Sequence, residues 1–189
     1  MMRILTLILA LVLAAPLAAA ELGGDGLHKT AWMRNTFKDM AEDLGEANSE
    51  GKRMLIMFEQ RGCIYCTQMH EEVFPDPVIT KYIEDNYFVV QMNLFGDEEV
   101  TDFDGTVLTE KNMASRWGVV FTPTMLFMPE NIPAAGKTAG QAAVMMMPGA
   151  FHKGTTLDLL SFVVEKGYEG DEHFQKYHAR MIQKRAAQN

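Results

Sequence analysis

The chain has 189 residues and carries 17 lysines and arginines against 25 aspartates and glutamates, a formal net charge of −8. That balance, with a pI near 5.1, excludes a nucleic-acid binder, which needs a basic footprint. Hydrophobic residues at 48% and charged ones at 22% are ordinary for a globular protein, and the length suits one domain with a core of its own.

The chain opens on a pattern for export. Arg3 supplies a positive start, Ile4 to Ala15 is apolar except for Thr6, Pro16 ends the run, and Ala18-Ala19-Ala20 offers a small-x-small cleavage pattern. The run is shorter than the roughly 20 residues a membrane span needs. The expectation is a signal peptide over 1–20, cleaved before Glu21, and a periplasmic product in which 21–189 form a single domain.

Ala31 to Ala47 reads as an amphipathic helix, with Trp32, Phe37, Met40, Ala41 and Leu44 recurring three to five apart. Arg53 to Phe58 is a continuous apolar run, as expected of a strand buried on both faces. It leads through Glu59-Gln60-Arg61-Gly62 into Cys63-Ile64-Tyr65-Cys66, which opens a helix running to about Val73 and ending before Pro75. Asp76-Pro77 starts another helix, and Tyr87 to Leu94 is a second strand. Asp104-Gly105 lies between two strand-like stretches as a two-residue hairpin signal. A short helix follows over 110–117, and Thr122-Pro123 leads into a third strand, Thr124 to Met128. Residues 129–141 read as loop, 142–147 as a fourth strand, and 155–166 and 171–184 as helices. This alternation implies an α/β fold with a mixed central sheet between helices.

Cys63 and Cys66 are the only cysteines. Three residues apart on a first helical turn, their side chains start about 5–6 Å from one another, a separation that suits a disulfide. As a structural staple the pair would constrain little of the unfolded chain, and as a zinc half-site it lacks a second ligand pair. A reversible dithiol fits best.

A strand feeding Cys-x-x-Cys at a helix start, followed by a distant Thr-Pro before another strand, resembles the thioredoxin superfamily over roughly 31–166. Within it, Phe58-Glu59-Gln60, Gly62 to Cys66, the Asp104-Gly105 hairpin, Arg116-Trp117-Gly118-Val119 and Thr122-Pro123-Thr124 are most similar to SoxW-type periplasmic thioredoxins. The resemblance implies a thioredoxin fold with a hairpin insertion and an extra C-terminal helix. It also implies a thiol–disulfide oxidoreductase in which Cys63 attacks and Cys66 resolves. Thr122 and a cis Pro123, with Ile64 and Tyr65, would meet the substrate, and no cofactor beyond the redox disulfide is implied. The helix start independently favours a thiolate at Cys63. Implied partners are protein disulfide clients and a membrane thiol carrier of the DsbD or CcdA type as electron donor, the protein itself acting as a monomer. Apocytochromes are alternative clients.

Some residues depart from that pattern. The tryptophan usual before the first cysteine is Gly62, the intervening pair is Ile64-Tyr65, and the buried acid of the preceding strand falls on Met57. Glu59 is the nearest carboxylate, either a proton relay for Cys66 or a solvated strand end. His70, four residues after Cys66, reads as a solvated helix histidine beside Glu71 and Glu72, and Glu98, Glu99, Asp102 and Asp104 as a solvated hairpin face. Fifteen methionines read chiefly as core filling. With Cys63, Cys66 and His70 they also give a Cu(I) carrier as the alternative function.

Overall fold

The computed structural model describes residues 20–188; the export segment lies outside them except for Ala20. In chain order the elements are β1 (Glu21–Leu22), β2 (His28–Lys29), β3 (Met33–Arg34), α1 (Met40–Ser49), β4 (Arg53–Glu59) and α2 (Ile64–Gln68), which continues as a π-helical turn over Met69–Val73. There follow α3 (Pro77–Asn86), β5 (Tyr87–Asn93), β6 (Glu99–Thr101), β7 (Val107–Thr109), α4 (Glu110–Arg116), β8 (Thr124–Phe127), α5 (Ala139–Ala142), β9 (Met145–Pro148), α6 (Lys153–Val164) and α7 (Phe174–Ala186).

Five strands form the central sheet in the order β3-β5-β4-β8-β9. β5 lies parallel to both β3 and β4, whereas β4–β8 and β8–β9 are antiparallel. Every residue of β4 is buried, and its side chains alternate between two cores as the pleat requires. Leu55 and Met57 join Trp32, Val89, Met125 and Phe127 under α3, α6 and α7. Met54, Ile56 and Phe58 join Met40, Leu44, Phe88, Val90 and Leu126 under α1 and α4. Most methionines are spent on these cores, Met146 facing one and Met145 and Met147 the other.

The first helix differs from expectation. Trp32 packs in one core and Met40 and Leu44 in the other, so no single helical stripe could carry all three. The chain instead passes through β3, reverses at Lys38 (φ 57°), and starts α1 at Asp39, whose carboxylate caps the amides of Ala41 and Glu42 at 3.0 and 3.1 Å. Phe37 is left 94% exposed. Thr138 and Gln141 form a capping box that makes α5 where a loop was expected.

The hairpin also differs. Its strands are separated by residues 102–106, more than a two-residue turn, because Asp102 points inward. Asp102 is buried and accepts from the amides of Phe103 and Ala139, from Trp117 Nε1 and from Arg116 Nη1, each at 2.8 Å. It is a structural hub, not part of a solvated face; Glu98, Glu99 and Asp104 do lie outside. At the far end α7 docks on α6 through Phe174 and Tyr177, which meet Phe162 edge-on, and through Asp158, which holds Arg185 at 2.6 and 2.9 Å.

Candidate functional site

β4 ends beside the start of α2, and the link turns at Gly62, whose φ of 70° is one that side chains rarely adopt. Cys63 is the N-cap of α2, with its Sγ accepting the Cys66 amide at 3.0 Å. Cys63 and Cys66 are joined as a disulfide with Cα atoms 5.2 Å apart. Cys66 is wholly buried, and Cys63 is 7% exposed.

The sheet brings the distant Thr-Pro pair to the same place. β8 runs antiparallel to β4 with Thr124 opposite Phe58, so the residues just before β8 lie beside those just after β4. The Thr122–Pro123 bond is cis, and the Thr122 hydroxyl donates to Cys63 Sγ at 3.2 Å. Cys63, Cys66 and Thr122 thus meet directly, with Pro123 buried next to them. Ile64 and Tyr65 project outward, 73% and 57% exposed, and Val120 and Phe121 are exposed on the Thr122 side. A nearly covered sulfur therefore sits within an apolar rim.

Behind the disulfide lies a second cluster. Glu59 and His70 are both buried rather than solvated, contrary to expectation for His70 and for one reading of Glu59. The helix turns His70 inward, where its Nε2 lies 2.7 Å from Glu59 Oε1. The other carboxylate oxygen accepts from Gln91 Nε2 at 2.6 Å, and Gln91 also donates to the His28 carbonyl at 2.7 Å. The His28 ring stacks on His70 with centroids 4.5 Å apart, and its Nε2 lies 3.4 Å from Thr67 Oγ1 on α2. Trp32 stacks beyond His70 and Phe74 meets it edge-on. Burial holds the His28 imidazole below its ordinary range, and His70 pushes the same way.

His28, Glu59 and His70 place ligand atoms within 4.8 Å of one another. The imidazole planes are only 11° from parallel, however, so their in-plane lone pairs do not converge on one point. The carboxylate is already engaged on both oxygens. The arrangement handles protons better than a metal ion.

Sequence reasoning missed His28 and Gln91. His28 lies in a two-residue strand with no periodicity to mark it, and Gln91 stood inside an apolar strand as an isolated polar residue, the one signal available.

Residues 40–148 match the model of the thioredoxin-like domain family. The chain belongs to that family. A thioredoxin-fold protein from Helicobacter pylori is 17% identical, covering 74% of this chain and 87% of that one at a TM-score of 0.57. A thioredoxin from Thermus thermophilus is 26% identical, covering 68% of this chain and 86% of its own at a TM-score of 0.51. No curated protein matches significantly. The fold is a thioredoxin fold, its mixed sheet flanked by helices and extended by the β6–β7 hairpin and α7. With the family and its Cys-x-x-Cys disulfide, the chain is a thiol–disulfide oxidoreductase.

Proposed function

We propose that the protein is an exported, SoxW-type periplasmic reductant of protein or sulfur-linked disulfides, with Cys63 attacking and Cys66 resolving. The observation that carries this is Cys63 Sγ, an N-cap sulfur that accepts both the Cys66 amide and the Thr122 hydroxyl. Donors aimed at one sulfur favour its thiolate, the nucleophilic form. In the reduced protein that thiolate attacks a client disulfide, bonding to one client sulfur while the other leaves. Cys66 then attacks Cys63, and the second client sulfur is released. The rim of Ile64, Tyr65, Val120 and Phe121 suits an extended polypeptide client better than a small polar one. In an oxidising compartment such a reductant needs an external electron source, for which a membrane thiol carrier of the DsbD or CcdA type is the proposed donor.

Two measurements test the roles. Alkylation of the reduced protein at mildly acidic pH is expected to label Cys63 well before Cys66, and equal labelling would sink the assignment. A Cys66→Ser variant is expected to accumulate mixed disulfides in the exporting cell, visible on non-reducing gels. If Cys63→Ser traps them instead, the order of attack is reversed.

A further inference from the structure

Resolution by Cys66 has a requirement that the sulfurs do not meet themselves. Cys66 is wholly buried, and a thiol in such surroundings is harder to ionise than one in water. It must nevertheless lose a proton to attack, and regain it whenever the disulfide is reduced. Met57, the strand residue that packs in the same core as Met69 and Val73, can accept no proton.

We propose that His70, held by Glu59, is the proton acceptor and donor for Cys66. This inference rests on the roles proposed above for the two cysteines. His70 lies one helical turn after Cys66, a spacing that brings side chains to about 5–6 Å at their origins, and both are buried on the inner side of that segment. Its Nε2 is committed to Glu59. Its Nδ1, the ring nitrogen nearer its own backbone, is buried and has no partner among the described residues. With Nε2 donating to the carboxylate, Nδ1 carries the lone pair, so the buried ring presents a free base.

The step then balances. The Cys66 proton passes to His70 Nδ1, and the sulfur's electron pair forms the bond to Cys63 Sγ. The bond from Cys63 to the client sulfur breaks, and its pair leaves on the client thiolate, which takes a proton from solvent. The dithiol is oxidised and the client disulfide reduced. The imidazolium stays paired with Glu59 until it returns its proton to solvent through the roughly 580 Å³ cleft lined by Trp32, His70 and Phe74. Glu59 is a positioning residue that fixes the tautomer and offsets the charge. The groups facing the pair are the stacked His28, Gln91 with Lys29 Nζ 2.6 Å behind it, and Glu71, whose charge reaches His28. Burial first, and then the stacked His70, hold the His28 imidazole below its ordinary range.

The test uses the reduced protein and 5,5′-dithiobis(2-nitrobenzoate) in a stopped-flow instrument. Attack by Cys63 releases one coloured thiolate, and resolution by Cys66 releases the second. In His70→Ala the first phase is expected to keep its rate while the second slows about 10²-fold near neutral pH, the typical size of a lost acid–base group. Added imidazole is expected to restore the second phase in proportion to its neutral form. Glu59→Gln keeps the side-chain volume, guarding against misfolding, and is expected to slow the second phase and shift its pH profile. A wild-type second phase in both variants overturns the proposal. So does a slow phase in His70→Ala that imidazole leaves slow. A wild-type protein with no first phase at Cys63 would instead refute the cysteine roles themselves.

Discussion

Asp102 and Glu59 are both fully buried carboxylates at the ends of strands, yet they are built for opposite tasks. Asp102 faces four fixed donors, one of them the Arg116 guanidinium, and a guanidinium keeps its proton at any physiological pH. Three of those bonds tie the hairpin to the end of α4 and to the start of α5. Glu59 faces an imidazole and an amide. An imidazole, unlike a guanidinium, can take up or give up a proton, so this carboxylate faces a partner whose charge can change. The partner, not the burial, decides whether a buried acid fastens the fold or serves its chemistry.

Neutralising each acid in place separates the two. Asp102→Asn turns an amide N–H toward Arg116 and Trp117, themselves donors, and leaves the guanidinium without its inner counter-charge. Whichever way the new amide is turned, its N–H faces two donors that Asp102 satisfied, and each buried donor left without a partner costs about 1–3 kcal/mol. Urea unfolding is expected to show that loss while the protein that remains folded reduces disulfides at the wild-type rate. Unchanged stability would mean that the hub is ornamental.

Glu59→Gln is expected to cost less stability, about 1–3 kcal/mol, because one oxygen still accepts from His70 and only the bond to Gln91 is disturbed. The comparison inverts when thiol exchange is measured, since Glu59→Gln should slow it and Asp102→Asn should not. If Asp102→Asn proved the slower enzyme, the division of labour would fail.

This contrast also marks what was legible in the sequence. Cys63 and Cys66 announce themselves because one helical turn holds both, and Thr122-Pro123 because a strand directly follows it. The sheet, whose β4 and β5 are mostly apolar runs, was legible for the same local reason. The cluster behind the sulfurs draws on His28, Glu59, His70 and Gln91 from four segments, and nothing in their spacing joins them. His70 between Gln68 and Glu71 looks like a solvated face until the helix is rotated into place. Trp32 and Met40 misled in the other direction, since residues bound for opposite cores happened to fall at helical spacing.

A third buried acid, Asp43 on α1, sharpens the comparison because it has neither kind of partner. It accepts one side-chain hydrogen bond, from Thr36 Oγ1 at 3.0 Å, and among the described residues no cation pairs with it. Burial pushes its pKa up to about 6 from 3.8, and the neighbouring Asp39, Glu46 and Glu42 add to the rise. The folded state therefore binds a proton that the unfolded chain has already lost between those two values. Its contribution to stability is complete below about pH 3.8 and fades as pH rises through about 6. Asp43→Asn keeps the oxygen that Thr36 bonds and removes the charge. Thermal unfolding is expected to give wild type and variant similar midpoints at pH 4, with the variant modestly higher at pH 7.5. A variant equally less stable at both pH values would show that the Thr36 contact, and not the charge, governs this site.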